Sequence, residues 1–414
     1  MSKIKNSLFN IYLAFFFLSS CSNWKSDKFL MNGVCYTIDL DGNKEAFIPI
    51  SSIFKDVKTI ILETRSDCMI GNVSEFQVFD GHIYILDKYN AKSMFVFDME
   101  GRFLRKIGSL GRGPGEYLGV SDFTLDTENR IIYLKDVDYR VHKYQFDGTY
   151  VHSITLQVPH SSIISIQYYK GKLYSDIIAW KTSSNDYILV EIDPNDGKIL
   201  SQALPLKYNK GWTESFHTGH SFFISRLNSP PRYAQLFMNY IVSIGEEITP
   251  YIELKSKYLV TEEDIENNFK KEMSNMRKNI SQPLSIVKNQ KIWDVHSYAE
   301  NDYWIIFTCQ IGSSFNFFTV LFHKETGIVK LAELLRNDLI LRQGCNPPNL
   351  FTMSGRFKFS DRQGAYEVFH PSDGFDRFKV SIKNNEIVPD LDKLDQLKKL
   401  NEESNPVIFF YEFK

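Results

Sequence analysis

The chain has 414 residues and is 43% hydrophobic and 24% charged, the balance of an ordinary globular protein. Lys and Arg number 48 against 50 Asp and Glu, a net charge of −2, which argues against a dedicated nucleic-acid binder. Aromatic residues make up 14%, with 33 Phe and 22 Tyr, and this leans towards β structure.

Lys3 and Lys5 precede an apolar stretch from Ile11 to Leu18, closed by Leu18-Ser19-Ser20-Cys21. A membrane span needs about 20 apolar residues, so this shorter segment reads as a secretory signal over residues 1–20. The cysteine at the cleavage point resembles a bacterial lipobox. That resemblance implies cleavage before Cys21, lipidation of that residue and a membrane-tethered chain. No later segment is long and apolar enough to cross a membrane. Residues 21–56 then read as a tether and N-terminal extension, and 57–414 as the folded body. Asp39-Leu40-Asp41-Gly42 begins like a calcium loop, lacks the later ligands, and reads as a hairpin turn. Cys35, Cys68, Cys309 and Cys345 show no Cys-x-x-Cys spacing. Buried free thiols are expected, with Cys309–Cys345 the first pairing to test in an exported protein.

From there the chain repeats. Apolar alternating runs end in turns at Gly101, Gly148, Gly197, Gly245, Gly327 and Gly374, spaced 47, 49, 48, 82 and 47 residues apart. Phe95-Val96-Phe97, Ile188-Leu189-Val190 and Tyr366-Glu367-Val368-Phe369 are among the runs before the turns, and Phe103-Leu104-Arg105 is among those after. A further strand precedes each, such as Ile83-Tyr84-Ile85-Leu86 or Phe357-Lys358-Phe359, and a shorter one such as Phe76-Gln77-Val78-Phe79 precedes most of those. The long interval holds Thr261-Glu262-Glu263-Asp264, a capping-box variant with acids in its first turn, so a helical insertion at about 260–285 separates units four and five. Four strands per unit of 40–50 residues is the arithmetic of a propeller blade. The expected fold is all-β: a six-bladed β-propeller with four-stranded blades. Val57–Leu62 and Val407–Tyr411 fall outside the six units and are expected to pair at the seam.

Gly108-Ser109-Leu110-Gly111-Arg112-Gly113-Pro114-Gly115-Glu116-Tyr117 is the densest glycine cluster. A phosphate loop would need Lys and Ser/Thr where Pro114 and Gly115 stand, and a strand rather than a helix follows. The segment therefore reads as a tight crossover between blades. Together with Asp98-Met99-Glu100-Gly101-Arg102-Phe103, Ile60–Thr64 and Asn405-Pro406-Val407-Ile408, it resembles six-bladed, NHL/TolB-like propeller lipoproteins of Bacteroidota. The likeness runs from about Tyr36 to Lys414, and it implies a cell-envelope propeller, lipid-anchored at the outer membrane, without assigning a reaction.

In such a ring the loop after each second strand and the inter-blade crossover share one face. Asp87, Arg112, Glu116, Tyr117, Asp136, Arg140, Trp180, His217, His220, Arg226 and Arg362 are expected there as ligand-binding residues. Lys88 and Tyr89 fall on the same face. Aromatic rings beside charged groups suit a glycan, a peptide or an envelope protein as ligand. No cofactor or metal is expected, and His217 with His220 would need further converging ligands to hold one. No His-Glu-x-x-His or Gly-x-Ser-x-Gly occurs. The competing reading is a metal-dependent propeller hydrolase, lactonase or lyase acting on a small polar substrate.

Overall fold

A computed structural model describes residues 33–158, 162–178, 186–212, 221–225, 227, 229–269, 284–312, 316–343, 352–353 and 357–414. Six antiparallel sheets follow one another along the chain as the blades of a propeller. Blade one holds Glu75–Phe79, His82–Asp87, Ser93–Asp98 and Phe103–Ile107; blades two and three repeat that meander over 120–155 and 162–205.

Burial explains why these strands are apolar at nearly every position. Ile83 and Ile85 alternate with Tyr84 and Leu86 along one strand, and successive side chains point to opposite faces. The first pair packs with Phe359, Tyr366, Ile408 and Phe410 of blade six. The second packs with Phe123, Leu125, Ile132 and Leu134 of blade two. Both faces of a blade are core, so no polar face is left to show in the sequence.

Two of the repeat glycines show why that position excludes a side chain. The carbonyl of Gly101, at φ +85°, accepts the Glu63 N–H at 2.8 Å, and a Cβ there would sit 2.1 Å from the Ile61 carbonyl oxygen. Gly197, at φ +77°, repeats the arrangement on the outer strand of blade two: its carbonyl accepts from Gln157 N–H at 2.8 Å, and a Cβ would meet the Thr155 oxygen at 2.2 Å. The turn is thus a hook onto the neighbouring blade as well as a reversal of direction.

The N-terminal segment is part of the ring from residue 36. Tyr36–Asp39 adds a parallel strand to the outer edge of blade four, and Lys44–Pro49 does the same on blade five. Phe54–Ile61 is the outermost strand of blade six, antiparallel to Val407–Phe413. The expected seam pairing is therefore present, and the tether reading of residues 36–56 gives way to strands. Asp39–Gly42 joins strands on two different blades, so it is not a hairpin; Asp41 instead accepts from Ser256 Oγ at 2.6 Å.

Blade six corrects the strand count at the end of the chain. Phe359–Ser360 is its first strand and Gly364–Phe369 its second, one place earlier than the glycine spacing implies. Gly374 lies within the helix Pro371–Lys383, which starts on a proline at its first turn. This helix and Leu394–Leu397 are inserted between strands two and three, where Phe378, Leu391 and Leu397 join the core of blades five and six. Asp392 accepts the Thr59 N–H at 2.8 Å, tying the insertion to the closing strand. The helical insertion between blades four and five begins as expected: Thr261 and Asp264 cap each other reciprocally, and helical turns cover Glu262–Phe269 and Leu284–Lys288.

Blades four and five are also joined by charge. Glu300 accepts from Arg232 Nε at 3.1 Å, Lys324 Nζ at 2.5 Å, and the hydroxyls of Tyr251 and Tyr298 at 2.5 and 2.8 Å. Burial pushes its carboxyl up, but Arg232 and Lys324 outweigh that and hold it down at about 2. Cys68 and Cys309 are buried free thiols, and burial raises both. Cys309 is therefore not in a disulfide, and Cys345 lies outside the described residues.

Candidate functional site

The first strand of each blade lines the axis, and between these strands opens a cavity of about 460 Å³. Its walls are Asn72–Gln77 of blade one, Phe222–Ile224 of blade four, His296–Tyr298 of blade five, and Phe357–Phe359, Glu367, Val368 and His370 of blade six. Asn72 lies on the crossover into blade one and His370 follows the second strand of blade six, so the cavity reaches the crossover face.

Alternation along Glu75-Phe76-Gln77 sorts this wall into two chemistries. Phe76 turns to blade six, with ring centroids 6.2 Å from Phe359 and 5.7 Å from Tyr366. Gln77 turns to blade two, its amide donating to the Phe123 carbonyl at 3.5 Å. Glu75 has the same parity as Gln77, and Lys88 Nζ stands 3.9 Å from its Oε1. Burial pushes the Glu75 carboxyl up to about 7, against the pull of Lys88 and Lys358. Across the cavity Phe223 stacks on Tyr298 at 5.6 Å. A closed ring thus presents charged groups and aromatic faces around one small volume.

Behind Glu75 a second buried pair lies between blades two and three. Asp122 accepts the N–H groups of Ile166 at 2.6 Å and Phe123 at 2.8 Å, and burial raises it well above the usual carboxylate range. Lys135 donates to Ser121 Oγ at 2.9 Å, and burial lowers it. These groups hold the inner strands of adjacent blades together.

The residues expected on the ligand face divide sharply. Asp87 and Asp136 close the second strands of blades one and two and are fully buried. Asp87 accepts four backbone N–H groups, from Gly71, Asn72, Tyr89 and Asn90, and so builds its turn. Asp136 accepts from the N–H groups of Asp138 and Arg140 at 2.7 and 2.9 Å, from Arg140 Nε at 3.0 Å, and contacts His142 Nε2 at 3.2 Å. Burial opposes ionisation, yet His142, the backbone and Arg140 leave its carboxyl below the usual range. Tyr117 is buried and donates to the Ile107 carbonyl at 3.1 Å, and burial pushes its phenol up to about 12.

Glu116 accepts the Gly113 N–H at 2.7 Å and tightens the glycine-rich crossover, while Arg112 is exposed at its tip. The glycines of that crossover admit tyrosines: a Cβ at Gly108 would meet the Tyr144 hydroxyl at 2.4 Å, and one at Gly115 the Tyr150 ring at 2.9 Å. Arg362 is on the opposite face. It sits in the turn between the first and second strands of blade six and pairs with Asp302 at 3.1 Å. The shifted strand assignment in that blade is the cause. Trp180, His217, His220 and Arg226 lie outside the described residues, as does Cys21.

Glu75, Lys358, Glu367, His296 and His370 were not among the expected residues. The available signal was a charged or polar residue opening, or interrupting, an otherwise apolar inner strand.

Fold and cavity together define a six-bladed propeller with a polar-aromatic axial pocket. The chain belongs to the family described as Domain of unknown function (DUF4934), which it matches over residues 35–412. It is similar to the crystal structure of a Bacteroides fragilis protein designated as exported, at 17% identity and a TM-score of 0.69, over 92% of this chain and 100% of that one. A member of the duf4221 family from Bacteroides vulgatus matches at 11% identity and a TM-score of 0.49, over 87% and 97% of the two chains. At 17% identity the likeness to the Bacteroides fragilis protein is one of fold. No curated protein matches the chain.

Proposed function

We propose that this chain is a ligand-binding propeller of the cell envelope, tethered to the outer membrane through a lipidated Cys21, and that its axial pocket is the recognition site. The pocket itself carries the reading: a cavity of about 460 Å³ in which Glu75, Lys358, Glu367 and two histidines share walls with Phe76, Phe223, Phe359 and Tyr298. Rings supply stacking faces and the charged groups fix orientation, the combination that suits a saccharide or a short peptide. Strands paired on a rigid ring hold those groups in place. The competing reading, a metal-dependent hydrolase or lyase, would need a set of His, Asp or Glu ligands converging on the substrate.

The test is a screen of neutral and acidic glycans and short peptides against the mature protein, run beside hydrolase and lactonase assays with and without divalent metal. Binding that falls about ten-fold or more in Lys358→Ala, with an unchanged melting temperature, supports the reading. Turnover abolished by chelation replaces it with an enzyme. The tether has its own check: Cys21→Ser moves the protein from the membrane to the soluble fraction while leaving it folded.

A further inference from the structure

We propose that the chain carries a second recognition site, on the face opposite the crossovers, where Arg105, Arg130 and the Tyr84 hydroxyl bind a tetrahedral oxyanion, a phosphate or sulfate group. A cavity of about 500 Å³ opens there at the seam of the first two blades. It is lined by His82, Tyr84 and Arg105 of blade one and by Arg130, Gln145 and Phe146 of blade two. Arg130 sits in the turn between the first and second strands of its blade, which fixes the face. The described linings of this cavity and the axial pocket share no residue.

The argument begins with Tyr84. It is 1% exposed yet lines the cavity, its ring 5.6 Å from Phe146, and its hydroxyl makes no hydrogen bond among the described residues. Burial pushes the phenol up to about 12 although Arg105 and Arg130 pull it down, so at neutral pH it is an O–H donor beside two guanidiniums. A guanidinium only donates, so neither arginine can accept from it. An oxyanion would satisfy all three groups at once.

Each guanidinium is anchored across the seam by a single nitrogen. Arg105 Nη1 donates to the Phe146 carbonyl at 2.9 Å. Arg130 Nη1 pairs with Asp80 at 2.9 Å, and its head lies 5.0 Å from the centre of the Phe146 ring. Among the described residues Nε and Nη2 of both make no hydrogen bond. The nearby acids are engaged: Asp80 by Arg130, and Asp147 by the Thr149 N–H of its own turn at 2.8 Å. His82 is fixed by donating Nδ1–H to the Asp80 carbonyl at 2.7 Å. The remaining donors come from two strands of one blade and a turn of the next. Arginine forks suit phosphate geometry, and donors arriving from several elements favour a tetrahedral group over a planar carboxylate.

The fold does not require this arrangement. One blade on, Tyr133 holds the third place of its strand as Tyr84 does, and it stacks on Tyr168 of blade three at 5.2 Å. A ring covers the tyrosine at that seam, where two arginines border a cavity at the other.

The test is calorimetric titration of the mature protein with inorganic phosphate, sulfate, glucose phosphate and glycerol phosphate, and with glucose as neutral control. Salt at about 0.15 M screens loose surface attraction. At least one oxyanion is expected to bind and to slow hydrogen exchange at residues 82–84 and 129–147. A free ion binding as tightly as the esters marks the ion itself as the ligand; a tighter glucose or glycerol ester marks a sugar phosphate or a lipid headgroup. Arg105→Gln should weaken binding about ten-fold or more, and Tyr84→Phe, which removes only the hydroxyl, about three-fold or more, both with an unchanged melting temperature. Lys358→Ala, in the axial pocket, should leave this binding as it was. No binding by any of the four oxyanions, or glucose binding as tightly as glucose phosphate, overturns the inference. So does binding that survives Arg105→Gln and Tyr84→Phe unchanged, or that is lost only in Lys358→Ala, which would place the oxyanion at the axis.

Discussion

Blades one and two differ from blades five and six in how they are completed. In the first pair each blade takes its four strands from one unbroken stretch of chain, 75–107 and 120–155. Blade six takes its fourth strand from the other end of the chain, where Thr59 pairs with Phe409, and blade five carries the N-terminal strand Lys44–Pro49 on its edge. Local repetition is enough to make a blade, whereas closing the ring needs contacts between the ends. Such pairings pay loop entropy before they are rewarded, so the ring should stand or fall on its closing strand.

The largest effect is therefore expected from deleting residues 33–61. That variant should show no cooperative thermal transition, since both faces of blade six depend on the missing strand. Removing only 33–49 strips two edge strands and should leave a folded ring with a lower melting temperature. If both deletions melt like the full chain, closure is not what holds the ring together.

Next comes the charge cluster between blades four and five. Glu300→Ala leaves Arg232 and Lys324 buried without their partner and should cost about 3–5 kcal/mol by chemical denaturation. The sign with pH follows from a carboxyl depressed from 4.5 to about 2 in the folded protein. Its stabilisation is complete above about 4.5 and is lost as pH falls towards 2. Wild type should lose stability over that window faster than Glu300→Gln does, and parallel curves would remove Glu300 from the account.

The same contrast between regions explains what could be read in the sequence. Gly101 and Gly197 are legible because a hook onto the neighbouring blade tolerates no Cβ, so glycine recurs at a fixed interval. Gly374 kept the interval by coincidence: it lies in a helix, and the third strand of blade six begins only at Val407. Nothing local marks that displacement, because Phe357–Phe359 reads as a strand whichever position it takes. Arg362 was misplaced for this reason alone. Asp87 and Asp136 were correctly placed at strand ends, yet acidic residues in turns serve backbone N–H groups as readily as ligands, and burial decides for the former. The axial residues were hidden because lining a channel depends on where a blade sits in the ring, which no single repeat encodes.

A smaller effect separates two repeat glycines. Gly197→Ala adds a Cβ 2.2 Å from the Thr155 oxygen, so the blade contact must open as well as the turn strain; a loss of roughly 2–4 kcal/mol is expected. Gly327 has φ +69° but nothing within 4 Å, and Gly327→Ala should cost only about 1–2 kcal/mol of backbone strain. Equal losses in urea melts would deny the hook. Smallest of all, Arg112→Ala at the exposed tip of the glycine-rich crossover should change stability by no more than about 0.5 kcal/mol.

The central claim is that recognition occurs at the axis of the ring. Hydrogen exchange of the mature protein, with and without the best binder from the glycan and peptide screen, tests it most directly. Slowed exchange at residues 72–77, 296–298, 357–359 and 367–370 is the predicted result, because these segments line the cavity. Protection confined to the opposite-face groove around Lys55, Asp302 and Arg362, with the axial strands unchanged, would contradict it.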